Sequence, residues 1–149
     1  MQLLPISLSI GILAGIWTYV SITCGLLPWP AFVGWAIFFF AGANKEALVK
    51  ALPPILVGLA LGYLTILANT ALKGDTLILS LLVVVLAFLL TFMMNISWLA
   101  TAPAAFAMVA TLFGAAGDPL KAGIPLIIGL FLGMVSVWIP GIFVKSDSN

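Results

Sequence analysis

Few side chains in this sequence can hydrogen-bond a guest, and they fall into two similar patterns. Trp17, Ser21 and Cys24 are spaced i, i+4, i+7, which places them on one face of a helix. Thr91, Asn95 and Trp98 repeat that spacing, and the two stripes superpose with Ser21 on Asn95. Thr65 and Asn69 form an i, i+4 pair, and Ser136 is the counterpart of Thr65. All of these groups are uncharged donors or acceptors, suited to holding a neutral solute. A plainer reading stands beside each one. Ser and Thr in apolar helices often donate to the carbonyl one turn back, which would account for Thr18, Thr65, Thr91 and Ser136. Asn95 is harder to bury and needs a partner, so it serves either as glue between helices or as part of a solute path. Asn69 lies near the end of an apolar segment and is expected to be solvated. Trp17 and Trp98 lie on the stripes and would narrow a pore, whereas Trp29, Trp35 and Trp138 suit the headgroup level of a bilayer. The run Phe38, Phe39, Phe40 is read as lipid contact and packing, with a hydrophobic constriction as the alternative.

Other chemistries lack their residues. The chain has no histidine and one cysteine, Cys24, so it has no Ser/His/Asp set, no intrachain disulfide and no Cys/His cluster for a transition metal. Cys24 itself reads as a small buried hydrophobe. No GxxxxGK loop is present for nucleotide phosphates. No pair of carboxylates falls inside an apolar segment, which weakens ion-coupled transport. The net charge of +1 argues against a nucleic-acid partner. The expectation is a non-enzyme with no cofactor and no metal.

The elements that would position these residues are membrane helices. Of the 149 residues, 64% are hydrophobic and 6% charged, whereas soluble domains carry roughly a quarter charged residues. So much apolar surface needs lipid as its solvent. Six candidate spans fit, at about 3–27, 28–43, 48–72, 76–97, 99–116 and 120–144. The second and fifth are the shortest and are read as full spans, with re-entrant half-helices as the alternative. Charged residues cluster at the predicted ends: Lys45, Glu46 and Lys50; Lys73 and Asp75; Asp118 and Lys121; Lys145 and Asp147. With six spans, Lys45, Lys50 and Lys145 share one side of the membrane against Lys73 and Lys121, and both termini are placed in the cytoplasm. The N-terminus has no basic residue before its apolar run, so the first segment is expected to stay as a membrane helix.

The chain reads as one membrane domain, 1–149, that says one thing twice: repeat A at about 3–73 and repeat B at about 76–144. Pro30-Ala31-Phe32 answers Pro103-Ala104-Ala105-Phe106, and Gly42-Ala43 answers Gly114-Ala115. Glu46 answers Asp118, Lys50 answers Lys121, and Pro54 answers Pro125. Gly58 and Gly62 answer Gly129 and Gly133. Three spans per repeat reverse the second copy, so the expected fold is an all-α integral membrane protein with six transmembrane helices as two inverted three-helix repeats. Transporters and channels often use that design, with the pathway between repeats. The glycine pairs Gly11/Gly15, Gly58/Gly62 and Gly129/Gly133 are read as helix-packing faces that let backbones approach closely in lipid.

The opening Gly11-Ile12-Leu13-Ala14-Gly15-Ile16-Trp17, with Gly25-Leu26-Leu27 and the aromatic-rich second segment, resembles the YcdZ-type family of small bacterial inner-membrane proteins. Ala115-Ala116-Gly117-Asp118 and the glycine-spaced last span fit that resemblance. It implies a bacterial inner membrane and carries over no functional residues. The residues themselves point to a channel or facilitator for a small neutral or weakly ionised solute, with Trp17, Ser21, Thr91, Asn95 and Trp98 along the pathway. The alternative is a non-transporting subunit that assembles through its glycine faces. Both readings expect the bilayer as partner and a homo-oligomer.

Overall fold

A computed structural model describes residues 4–146, with side chains described as far as Pro140. Leu3 and Asp147, expected at the outer ends of the first and last spans, lie outside the described residues. Six α-helices run along the chain: α1 (Leu4–Thr23), α2 (Trp29–Phe40), α3 (Lys45–Ala71), α4 (Thr76–Phe92), α5 (Ala102–Gly114) and α6 (Pro119–Ser146). The segments Leu4–Thr23, Lys45–Ala71, Thr76–Asn95 and Pro119–Pro140 are long and apolar enough to cross a membrane. This is a multi-pass helical membrane protein. The short helices α2 and α5 have 12 and 13 residues. At 1.5 Å per residue they reach only roughly 18–20 Å, well short of a hydrocarbon core about 30 Å thick.

The helix ends follow from local chemistry. Asp75 caps α4 by accepting from the backbone N–H groups of Leu77 and Ile78 at 2.9 and 3.1 Å. Asp118 does the same for α6 through Leu120 and Lys121 at 3.0 and 3.1 Å. Asn44 caps α3 by accepting from Ala47 N–H at 2.9 Å. The capping counterpart of Asp118 is therefore Asn44, two residues before the Glu46 that the sequence aligns with it. At their C-termini α1, α2, α3 and α5 all close with the same reciprocal pair of backbone bonds. For α5 these are Gly117 N–H to Leu112 C=O and Ala116 N–H to Phe113 C=O, at 2.9 and 3.1 Å. The left-handed position of that turn is glycine in α1 (Gly25, φ 70°) and α2 (Gly42, φ 120°), but Lys73 (φ 49°) and Ala116 (φ 56°) in α3 and α5.

Two compact units emerge, and their make-up departs from the order of the sequence. One contains residues 1–48 and 125–149, so α1 and α2 are joined by most of α6. The other contains 49–124, so α4 and α5 are joined by most of α3. Each repeat supplies its first two helices to one unit and its third helix to the other.

Inside each unit the glycines of the third helix meet the short helix. In the first unit, a Cβ on Gly129 would fall on the backbone carbonyl of Ala31, and one on Gly133 would come within 2.7 Å of Phe38. In the second unit, a Cβ on Gly58 would come within 2.6 Å of the Ala105 carbonyl, and one on Gly62 would meet Leu112 at 3.1 Å. Ala31 and Ala105 are equivalent positions of the repeat, as are Phe38 and Leu112, so the two seams are copies of each other. All four of these partners are fully buried. Burial follows the same register along the third helices: Ala51, Pro54, Ile55, Gly58, Gly62 and Thr65 are buried, as are Ala122, Pro125, Leu126, Gly129, Gly133 and Ser136. Each unit thus repeats one packing pattern, a short helix against the glycine face of a third helix. The core of the second unit is completed by Leu86, Leu90, Met93, Leu99 and Ala105, with Val57 and Leu61 of α3 packed against them.

Candidate functional site

The buried positions of α1 carry hydrogen-bonding groups, while Ile6, Ile10, Leu13 and Ala14 are half-buried. Ser9, Trp17 and Ser21 are its buried residues, while Leu4, Leu8, Ile12, Ile16 and Tyr19 are exposed. Soluble helices bury apolar groups and expose polar ones; in lipid that preference no longer holds, and inward polar groups mark contacts or paths within the protein. Ser9, Trp17 and Ser21 are separated by multiples of four residues. Trp17 and Ser21 lie one turn apart on one face; Ser9 is turned by roughly 80° from Trp17, and the half-buried Leu13 lies between them.

The hydrogen bonds of these buried groups differ. Trp17 Nε1–H donates to the carbonyl of Pro28 at 2.9 Å, which ties the last part of α1 to the start of α2. Ser21 is fully buried and donates to Thr18 C=O at 3.1 Å, leaving its lone pairs free to accept. Elsewhere in the same unit, Trp35 Nε1–H donates to Ser136 Oγ at 3.2 Å, and Ser136 in turn donates to Gly133 C=O at 2.7 Å. This bond joins α2 to α6, so Trp35, read from sequence as an interface anchor, is a buried link between helices. Ser9 Oγ is buried and has no partner.

The second stripe lies differently. α4 ends at Phe92 and a 3-10 turn covers Met93–Asn95, so Thr91, Asn95 and Trp98 do not share one face of a continuous helix. Ile96 then takes an extended conformation (φ −98°, ψ 115°) that breaks the chain away from α4. Asn95 donates through Nδ2 to Phe92 C=O at 2.8 Å and caps the end of α4. Thr91 is exposed and donates to Ala87 C=O at 2.8 Å, and Trp98 is 60% exposed. Cys24, just past the end of α1, is exposed rather than buried.

Of the sequence-derived pathway residues, Trp17 and Ser21 share the buried face of α1, whereas Thr91, Asn95 and Trp98 all lie exposed in the second unit. Ser9 was missed because a lone serine in an apolar helix carries no motif.

The second unit has an open surface groove of about 200 Å³ lined by Ile66, Asn69, Thr70, Leu79, Phe113 and Gly117. Asn69 Oδ1 is buried without a hydrogen-bond partner and lies against Gly74. Sequence placed Asn69 in solvent because only four residues separate it from Lys73. Asp118, outside the membrane-spanning segments, is held below the usual carboxylate range. The largest cause is the Lys121 backbone N–H that it accepts; its partial burial acts in the opposite sense. Its 3.6 Å ion pair with Lys121 is exposed and contributes little. Among the described residues, no group of His, Cys, Asp and Glu could hold a metal ion.

Comparison with known proteins finds one family. The profile of a protein family of unknown function, DUF1097, matches residues 7–141. No curated protein and no solved structure matches the chain.

Proposed function

The chain belongs to the DUF1097 family, and from that premise we propose that it lets a small, neutral or weakly ionised solute cross the membrane by facilitated passage. The observation that supports this reading is that the three buried residues of α1, Ser9, Trp17 and Ser21, all carry a hydrogen-bonding group, on a helix whose exposed large side chains are apolar. These groups carry no charge, which suits a solute that keeps its hydrogen bonds in transit and needs no counter-ion. Trp17 and Ser21 are the pathway residues best supported. Thr91, Asn95 and Trp98 would take part only where a further surface covers them. On this reading the two repeats are inverted, and the resemblance noted in the sequence supports a bacterial inner membrane. The basic residues favour cytoplasmic termini.

A second reading, a non-transporting assembly subunit, draws on Gly11 and Gly15. A Cβ on either would meet nothing within 4 Å, so α1 keeps an open small-residue face suited to a homo-oligomer. Swelling of proteoliposomes in urea, polyols and short amides separates the two. Facilitated passage requires at least one of these solutes to enter faster than into protein-free liposomes, with entry slowed by Ser21→Leu. Entry no faster than into empty liposomes for every solute leaves the assembly reading standing alone. Unchanged flux in Asn95→Leu removes Asn95 from the pathway.

A further inference from the structure

Ser9 differs from the other buried hydroxyls of this membrane protein. Ser21, Thr65, Thr111 and Ser136 each donate to a carbonyl three or four residues back, at 2.7–3.1 Å. That is the ordinary way for a helix to quiet a hydroxyl in lipid. Ser9 lies in the second turn of α1, and its Oγ makes no such bond and no other. Its side chain is 8% exposed, so bulk solvent does not satisfy it either. A buried hydroxyl without a partner is unfavourable unless something brings the missing bond. Ser9 also lies only five residues beyond Leu4, the first described residue of α1. That is roughly 7.5 Å along the helix, about a quarter of the hydrocarbon thickness.

We infer that Ser9 Oγ is a binding position for a small neutral molecule bearing a hydroxyl or carbonyl oxygen, water included. A serine hydroxyl donates once and accepts twice, so an occupant with one oxygen completes it without any charge. The inference rests on the facilitator reading only where the occupant is a transported solute; a water-filled position at Ser9 stands without it.

The test uses the full chain in liposomes, with Cys24→Ala as background and a single cysteine at Ser9→Cys or Leu8→Cys. Leu8 is at the same depth but faces outward, 62% exposed. Silver ion reaches a thiol only through water, and the thiols left unreacted are counted with a maleimide after denaturation. The expected result is that silver blocks Ser9→Cys at least about tenfold faster than Leu8→Cys, because access governs thiol reactivity. Equal rates at the two positions would overturn the inference. In a second arm, urea, acetamide or glycerol is added before silver. Slowing at Ser9→Cys identifies a solute as occupant, whereas fast reaction regardless of solute identifies water; both support the binding position. Fast silver reaction with no solute flux removes the facilitator reading and leaves the inference intact.

Discussion

At the residue scale, the same atom type has different consequences according to what it faces. Ser21 and Ser136 are both fully buried serines in apolar helices, and each donates to its own helix. Of the two, Ser136 also accepts from another helix, through Trp35 Nε1–H, and so its loss would strand that buried indole N–H. Asp118 shows the corresponding logic outside the membrane. Its carboxylate accepts two backbone N–H groups at the start of α6, and its pKa is lowered mainly by the one from Lys121. A lowered folded pKa means that the cap's contribution is fully present above the ordinary aspartate value, about 3.9. It is lost as pH falls through the folded value. Thermal unfolding in detergent should therefore show Tm falling as pH drops below about 4. In Asp118→Asn, which keeps the cap but cannot titrate, that part of the fall should be missing. Superimposable Tm-against-pH curves for the two proteins would remove Asp118 from the acid response.

At the element scale, glycine spacing has two outcomes in this chain. Gly129 is pressed against the backbone of α2, where a Cβ would overlap the Ala31 carbonyl, and no side-chain rotation relieves a backbone clash. Gly11 has the same four-residue spacing with Gly15 and faces open space. Gly129→Ala should destabilise by several kcal/mol, above the roughly 1–3 kcal/mol usual for overpacking, and should show as loss of folded protein in detergent. Gly11→Ala should leave Tm unchanged or slightly raised, because alanine is the better helix former by up to about 1 kcal/mol. Any effect of Gly11→Ala should appear instead in the monomer-to-oligomer ratio by sedimentation. A Gly11→Ala protein that unfolds like Gly129→Ala would show that α1 has a neighbour at Gly11 within the chain. Spacing alone could not separate the two pairs, since the pattern says which face is small and not what approaches it. The stripe Thr91–Asn95–Trp98 has a related history. Its period is helical, but Ile96 turns extended and the helix stops at Phe92, so residues in register in the sequence part company in space.

At the scale of the whole molecule, the sequence carried the duplication and the helix count plainly, because prolines, glycines and charges recur in order and lipid forces helices on apolar segments. The exchange of third helices was not legible. Gly58 and Gly129 sit on equivalent helices whichever short helix they meet, and Ala31 and Ala105 are equally good partners for either, so nothing local distinguishes a repeat that packs on itself from one that packs on its twin. Unit membership decides it: α3 belongs with α4 and α5, and α6 with α1 and α2. A consequence follows for a chain cut in the turn at Gly74, between α3 and α4. Residues 1–74 then hold α1 and α2 without the helix that covers Ala31 and Phe38, and residues 75–149 hold α4 and α5 without the one that covers Ala105 and Leu112. Each half alone leaves a short helix, too short to span the bilayer, with its seam open. Expressed together, the halves should co-purify through a tag on either one and give a sharp unfolding transition. Expressed singly, each should be degraded, or else should pair with a second copy of itself, because Gly58 can meet the Ala31 of another copy as it meets Ala105 here. A half that purifies as a stable monomer would contradict the exchange, since only a repeat that closes its own seam could do so.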